Sequence, residues 1–319
     1  MMDARKTEHG EGEGRQFSGV SVAVVGAGRV GTAIASLIAT QGGAVDIWSR
    51  HRTTLSGVRC HEGSEVPVDV SRADLIVIAV SDRAVTAVAR KLQSAPLREG
   101  CCVVHTSGAH GAKTILSPLG GVAHLGTLHP LVAIRSAEQG IDVMPSAYWM
   151  LEGHDTAVAL CARWVESLGA RWVRLDAADL ALYHASAVVA SNHAVALWTA
   201  AGDTLRRLGG LGPRLASEML WPLLASTLDN VRALGLPDAL TGPLRRGDVG
   251  TIREHLRAIE AQAPRLLASY RADAILAAEI LGENMGRDVS SGKDLAKIVD
   301  VLDVLRASAA QDVAEDDVH

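Results

Sequence analysis

Residues 183–193 read Tyr-His-Ala-Ser-Ala-Val-Val-Ala-Ser-Asn-His, a stretch of Ala and Val that carries two histidines, two serines and an asparagine. On a helix, His184, Val188, Ser191 and Asn192 stand at i, i+4, i+7 and i+8 and share one face. A histidine, with an ordinary pKa of about 6.5, can deliver a proton to an oxygen or nitrogen that turns basic during a reduction. An asparagine, with a serine beside it, can orient that atom by hydrogen bonds. His184, Asn192 and Ser191 are therefore the candidate catalytic set, and His193 points elsewhere. A second dense segment, residues 240–256, holds Arg245 and Arg246 on a short arm between Gly242-Pro243 and Gly247-Asp248. An arginine fixed between two turns suits bidentate capture of a carboxylate. Arg246 is the candidate clamp, with Thr241 at the start of the arm. His129, in Gly-Thr-Leu-His-Pro-Leu, is a candidate for the cleft wall.

These residues need a partner that supplies reducing equivalents, and the N-terminal half offers one. Gly26-Ala27-Gly28-Arg29-Val30-Gly31 is G-x-G-x-x-G, following an apolar strand and opening an apolar-periodic helix. That context is what the dinucleotide-binding reading requires. Gly26 permits the tight turn, Gly28 lets the backbone approach a pyrophosphate, and Gly31 lets the helix pack closely. At the end of the next strand stands Trp48-Ser49-Arg50-His51-Arg52 rather than a terminal acid. Asp46 lies inside the strand. Ser49 and Arg50, helped by Arg52, suit a 2′-phosphate, so NADP(H) is expected over NAD(H). Ser81, Asp82 and Ser107 lie at later strand ends and are expected along the same cleft. His105, His110, His124 and His129 match no zinc spacing, and no metal is expected.

The elements that must position these groups alternate from Val20 onward. Strands are expected at Val22–Val25, 44–50, 73–82, 101–108, 122–131, 147–153 and 171–176, with helices between them. This predicts an α/β architecture: an N-terminal doubly wound Rossmann-like sheet followed by an all-α C-terminal domain. From Asp176 to about Leu208 only Gly202 interrupts the pattern, which predicts one helix of about 30 residues, or about 45 Å. Further helices are expected at Pro213–Leu234, Asp248–Ala261, Pro264–Leu281 and Lys293–Arg306. The expected boundaries are a disordered tail at 1–18, the nucleotide domain at 19–176, the helical domain at 177–308 and an acidic tail at 309–319.

Composition bounds the rest. The 319 residues carry 31 Lys plus Arg against 36 Asp plus Glu, a net charge of -5. This is no footprint for nucleic acid or for an anionic membrane. Four cysteines without a C-x-x-C pair, and no signal-like apolar run near Met1, point to a reduced cytoplasm.

Taken together, G-x-G-x-x-G, His-Thr-Ser-Gly-Ala, His-Pro-Leu, the 183–193 stretch and Ala-Leu-Thr-Gly-Pro-Leu-Arg-Arg-Gly-Asp resemble one bacterial family. It pairs a Rossmann-like domain with a helical domain of unknown function, number 2520. That family is similar in build to 6-phosphogluconate dehydrogenase-like reductases, among them ketopantoate, pyrroline-carboxylate and β-hydroxyacid enzymes. The resemblance implies a nicotinamide cofactor, an active site between domains and a homodimer built on the helical half. Several of those enzymes use a lysine and an asparagine on the long helix, whereas this chain has no lysine between Lys113 and Lys293. His184 holds the natural substitute position. The expected activity is NADPH-dependent reduction of a small 2-oxo acid, ketopantoate foremost. Imine reduction and a non-catalytic NADP(H)-binding regulator are the alternatives.

Overall fold

The computed structural model describes residues 17, 19–208, 210–235, 238–285, 296–297 and 299–308. These fall into two compact units, Met1–Ser191 and Asn192–His319. The expected tails at 1–18, apart from Phe17, and 309–319, and the start of the expected helix at Lys293, lie outside the described residues. Phe17, assigned to the tail, is a correction: it is buried against the core formed by Val22, Ile34 and Trp164.

The first unit runs β1 (Ser21–Val25), α1 (Arg29–Thr40), β2 (Ala44–Ser49), β3 (Arg59–Glu62), α2 (Val68–Ser71), β4 (Leu75–Ile78) and α3 (Asp82–Gln93). It continues through β5 (Cys102–His105), α4 (Ala112–Ile115), β6 (His124–Leu131), α5 (Ala137–Val143), β7 (Tyr148–Gly153), α6 (Asp155–Ser167) and β8 (Arg171–Arg174). The strands form one sheet in the order β3-β2-β1-β4-β5-β6-β7-β8. All neighbours are parallel except β6 and β7, which pair antiparallel. Side chains of the central strands alternate between two cores. Val22, Val24, Leu75, Val77, Cys102 and Val104 pack on one face, and Ala23, Val25, Ile76, Ile78, Cys101 and Val103 on the other. Burial on both sides is why these strands read as continuous apolar runs. The order of the first six strands reverses direction between β1 and β4, where a crevice opens beyond their carboxyl ends.

One strand was invisible in the sequence. Arg59-Cys60-His61-Glu62 has no apolar run, yet it pairs with β2 at the sheet edge. Arg59 and His61 meet the buried Asp46 carboxylate there, at 2.8 and 2.7 Å. The interior position expected for Asp46 is thus observed, with its charge compensated.

The expected long helix is segmented. Asp176 makes no side-chain cap, and a 3-10 turn covers Ala177–Asp179. α7 (Leu180–Val188) follows, then a π-helical turn over Val189–His193, then α8 (Ala194–Arg207). The sheet unit therefore extends past the expected boundary at Asp176 to Ser191, because Leu180 is fully buried within it. The π turn also breaks the uniform 3.6-residue register assumed for Ser191 and Asn192. By length and composition, Ala177–Arg207 could cross a bilayer.

In the second unit, α9 (Pro213–Leu234) packs beside α8 with Trp221 edge-on to Trp198 at 6.0 Å. α10 (Gly242–Arg246), α11 (Val249–Gln262), α12 (Leu267–Met285) and the helical residues 299–308 complete the unit. Ile252, Leu256, Leu267, Ala274, Val301 and Leu305 form its core. Asp248, where the helix was expected to begin, caps α11 by accepting from Thr251 N at 3.1 Å. Phe17→Ala should cost about 3 kcal/mol, read as a lower urea midpoint at unchanged m-value. An unchanged midpoint would show that the residue contributes nothing to the core.

Candidate active site

The glycine turn between β1 and α1 shows three separate constraints. Gly26 has φ +111°, and a Cβ there would lie 2.5 Å from the Ala79 carbonyl oxygen. A Cβ on Gly31 would lie 2.0 Å from the Gly26 oxygen. At Gly28 a Cβ would meet nothing within 4 Å. Two glycines are thus required by the fold, while the middle one faces open space at the start of α1. The first helical bond, Thr32 N to Gly28 O, leaves the N–H groups of Arg29, Val30 and Gly31 without an intrahelical acceptor. An anionic group fits such a cradle.

The turn opens onto a cleft of about 680 Å³ that also takes in Ser49, Arg50, Arg52, Ser81 and Lys91. Among the described residues, no Asp or Glu lines it. The Ser49 hydroxyl donates to the His51 carbonyl and lies 3.3 Å from the Thr53 hydroxyl, so it shapes the 49–53 loop. Arg50 and Arg52 are exposed at the rim.

Beyond the cleft, three adjacent strands align polar residues in one row. His105 on β5 is paired with Thr127 on β6, and Thr127 with Glu152 on β7. Ser107 N donates to His105 Nδ1 at 3.1 Å, which leaves the ring hydrogen on Nε2 to face Thr127 Oγ1, also at 3.1 Å. Thr127 Oγ1 donates to Glu152 Oε2 at 2.8 Å, and Ala112 N donates to the same oxygen at 2.8 Å. Burial holds His105 down to about 4, with Asp82 opposing the shift. The row ends at the Ser107 turn, whose hydroxyl donates to Asp82 at 2.9 Å.

A second group sits beside it. His129 Nδ1 is 2.8 Å from the Tyr183 hydroxyl, and the His129 ring stands edge-on to His184 at 6.2 Å. A Cβ on Gly108 would fall 2.8 Å from His129 Nε2, so only glycine leaves room for the imidazole. Burial, then His184, keep His129 down to about 4, so it is neutral near pH 7. Burial pushes the Tyr183 phenol up to about 12, so it keeps its proton. His184 Nδ1 is buried with no hydrogen-bond partner among the described residues. A buried polar atom without a partner is costly, and a ligand group can satisfy it.

Comparison with known proteins bears on this arrangement. A Rossmann-like domain model matches residues 6–130, and the domain of unknown function DUF2520 matches residues 147–275. The chain joins a Rossmann-like domain to a DUF2520 domain. Among curated proteins, it is 36% identical over 104 residues to a glycerol-3-phosphate dehydrogenase [NAD(P)+] of Moorella thermoacetica. That match spans 27% of this chain and 31% of the relative, so the chain covers about a third of it. Among solved structures, a Thermotoga maritima protein is similar at 22% identity and TM-score 0.65, covering 82% of this chain and 99% of that one. A Plasmodium falciparum pyrroline carboxylate reductase with NADP bound is similar at 13% identity and TM-score 0.56, over 88% and 98%. These likenesses show the fold.

The two matched segments meet at the β6–β7 pair. His105, Thr127 and His129 come from the Rossmann-like match, while Glu152, Tyr183 and His184 come from the DUF2520 match. Sequence reasoning proposed His184 and His129 separately and gave no role to Tyr183, Thr127, Glu152 or Lys91. The Tyr183 signal was its place next to His184. The others depend on strand pairing or on the far end of a helix. The remaining proposed residues of DUF2520 lie elsewhere along it. Ser191 and Asn192 are exposed in the π turn. Thr241 precedes α10 without a side-chain cap, and Arg246 ends that helix, exposed. Arg245 pairs with Asp238 at 3.5 Å.

The neutral His105 gives a pH test. Its folded pKa lies below the ordinary 6.5, so the unfolded chain binds more protons as pH falls through that window. Stability is complete above about pH 6.5 and is lost toward pH 4. Because His129 is depressed over the same range, the test takes the difference between wild type and His105→Gln: urea unfolding should show about 2–3 kcal/mol more lost in wild type between pH 7.5 and about pH 4.5. A flat difference would mean that His105 is protonated or solvated in the native state.

Proposed function

We propose that the chain is an NAD(P)-dependent oxidoreductase that favours NADPH and reduces a small 2-oxo acid, ketopantoate being the leading candidate. The observation that carries the cofactor reading is Gly28: its open cradle at a helix N-terminus leads into a cleft lined by Arg50, Arg52 and Lys91 and, among the described residues, by no carboxylate. The pyrophosphate would rest on the N–H groups of Arg29, Val30 and Gly31. The cations would hold the 2′-phosphate. When bound, the cofactor supplies the hydride.

The chain's own residues would handle the proton. In this reading His184 delivers it from a ring nitrogen that otherwise lacks a partner, and the neutral His129–Tyr183 couple fixes the imidazole's surroundings. Asn192 and Ser191 would orient the substrate oxygen, and Arg246, with Thr241, would receive the carboxylate. Ser107 and Asp82 would border the nicotinamide end. A second reading, imine reduction, gains from the neutrality of His129 and Tyr183, because a basic imine takes up its own proton. The exposed apolar side chains on α9 (Trp221, Leu223, Leu228 and Leu234, each more than half exposed) support a homodimer, since large apolar side chains gain free energy when a partner covers them. Neither nucleic acid nor a membrane belongs to this reading.

The first experiment follows NADPH absorbance with purified protein, ketopantoate or 1-pyrroline-2-carboxylate, and His184→Ala. Turnover should fall about 100- to 10,000-fold in the variant at unchanged NADPH affinity. NADPH binding without turnover of either compound would remove the substrate and favour a nucleotide-binding regulator. Gly28→Leu gives the cofactor test. It should fold normally and bind NADPH about 100-fold more weakly, or about 2.7 kcal/mol, in a fluorescence titration. Unchanged binding would rule out the cradle.

A further inference from the structure

Lys91 occupies the last turn of α3 and lines the same cleft as the 49–53 loop. Its ammonium donates to the Ser64 carbonyl at 2.9 Å, and both groups are exposed. The Gly63–Ser64 loop is itself tied to the end of β2. Gly63 N donates to Ser49 O at 3.1 Å, and Trp48 Nε1 donates to Gly63 O at 3.0 Å. A single lysine thus reaches from α3 to the frame that carries Arg50 and Arg52. Among the described residues, none of these three cations meets a carboxylate in an ion pair.

The physical chemistry makes this contact exchangeable. An ammonium has three donors, and one solvent-exposed carbonyl uses only one of them. Water can replace lysine at an exposed carbonyl at little cost. A phosphate monoester, with its near-double charge, forms shorter and stronger charge-assisted bonds than a neutral carbonyl. The flexible stem allows the ammonium to move as a point charge.

We propose that Lys91 is a specificity-determining residue of the nucleotide cleft, exchanging the Ser64 carbonyl for the 2′-phosphate of NADP(H) opposite Arg50 and Arg52. The inference rests on the cofactor reading above and goes beyond it. It assigns the discrimination against NADH in part to a residue of α3, outside the loop after β2.

The test titrates the purified full-length protein with NADPH, NADH, 2′,5′-ADP and 5′-AMP, comparing wild type, Lys91→Gln and Lys91→Arg by calorimetry. Lys91→Gln should weaken NADPH and 2′,5′-ADP about tenfold. NADH and 5′-AMP should stay within about twofold, and Lys91→Arg within about threefold of wild type for all four. Equal weakening of phosphorylated and unphosphorylated nucleotides would overturn the proposal, since it would mean that the stem packs on the adenosine. NADPH preference unchanged in Lys91→Gln would also overturn it and leave the cofactor reading standing. A wild type that binds none of the four would remove both.

Discussion

The antiparallel pairing of β7 with β6 is the constraint on which the candidate active site depends. It reverses the chain at the far side of an otherwise parallel sheet and sets Glu152 level with Thr127, and through it with His105. Because side chains alternate along a strand, a slip of one residue would send one of these groups to the opposite face. In register, the buried carboxylate accepts two donors, the threonine relays, and the histidine stays neutral with a defined tautomer. The Ser107 backbone N–H is the last member of that row. The turn it fixes, Ser107-Gly108, carries both the hydroxyl bound to Asp82 and the glycine against which His129 rests.

The same strand pair is where the two matched segments meet in the candidate site. The Rossmann-like segment alone contains the open helix N-terminus at Gly28 and a histidine without its phenol partner. The DUF2520 segment contributes Tyr183 and His184 on a helix whose first residue, Leu180, is buried in the sheet unit. Without the His129–Tyr183 bond, a neutral buried imidazole would lack its Nδ1 partner, a cost of roughly 1–3 kcal/mol. That pairing couples the position of α7 to the sheet. The π turn follows immediately, as such turns often do near functional groups.

Charge divides the molecule by task. Among the described residues, the cleft beside Gly28 keeps three cations and no acid, while Asp46, the acid on β2, is turned inward, paired with Arg59 and within hydrogen-bond reach of His61. An inward acid leaves the cleft open to a phosphate that an outward acid would repel. The row at His105 does the opposite and holds a carboxylate whose partners are neutral donors.

Local patterns determined much of this protein. The glycine turn, the apolar strands, the cap at Asp248 and the helical second half all follow from spacing and residue type, because each depends on neighbours within a turn or a strand. The inward position of Asp46 was legible for the same reason. Phe17 and β3 were not, since a polar edge strand and a lone aromatic gain their stability from distant partners. Nor was the segmentation of the long helix, where composition favoured continuity. Tyr183, Thr127, Glu152 and Lys91 became candidates only in the folded chain. Their partners lie 54, 22, 25 and 27 residues away in sequence, and only strand register and helix docking bring groups so separated within hydrogen-bond reach.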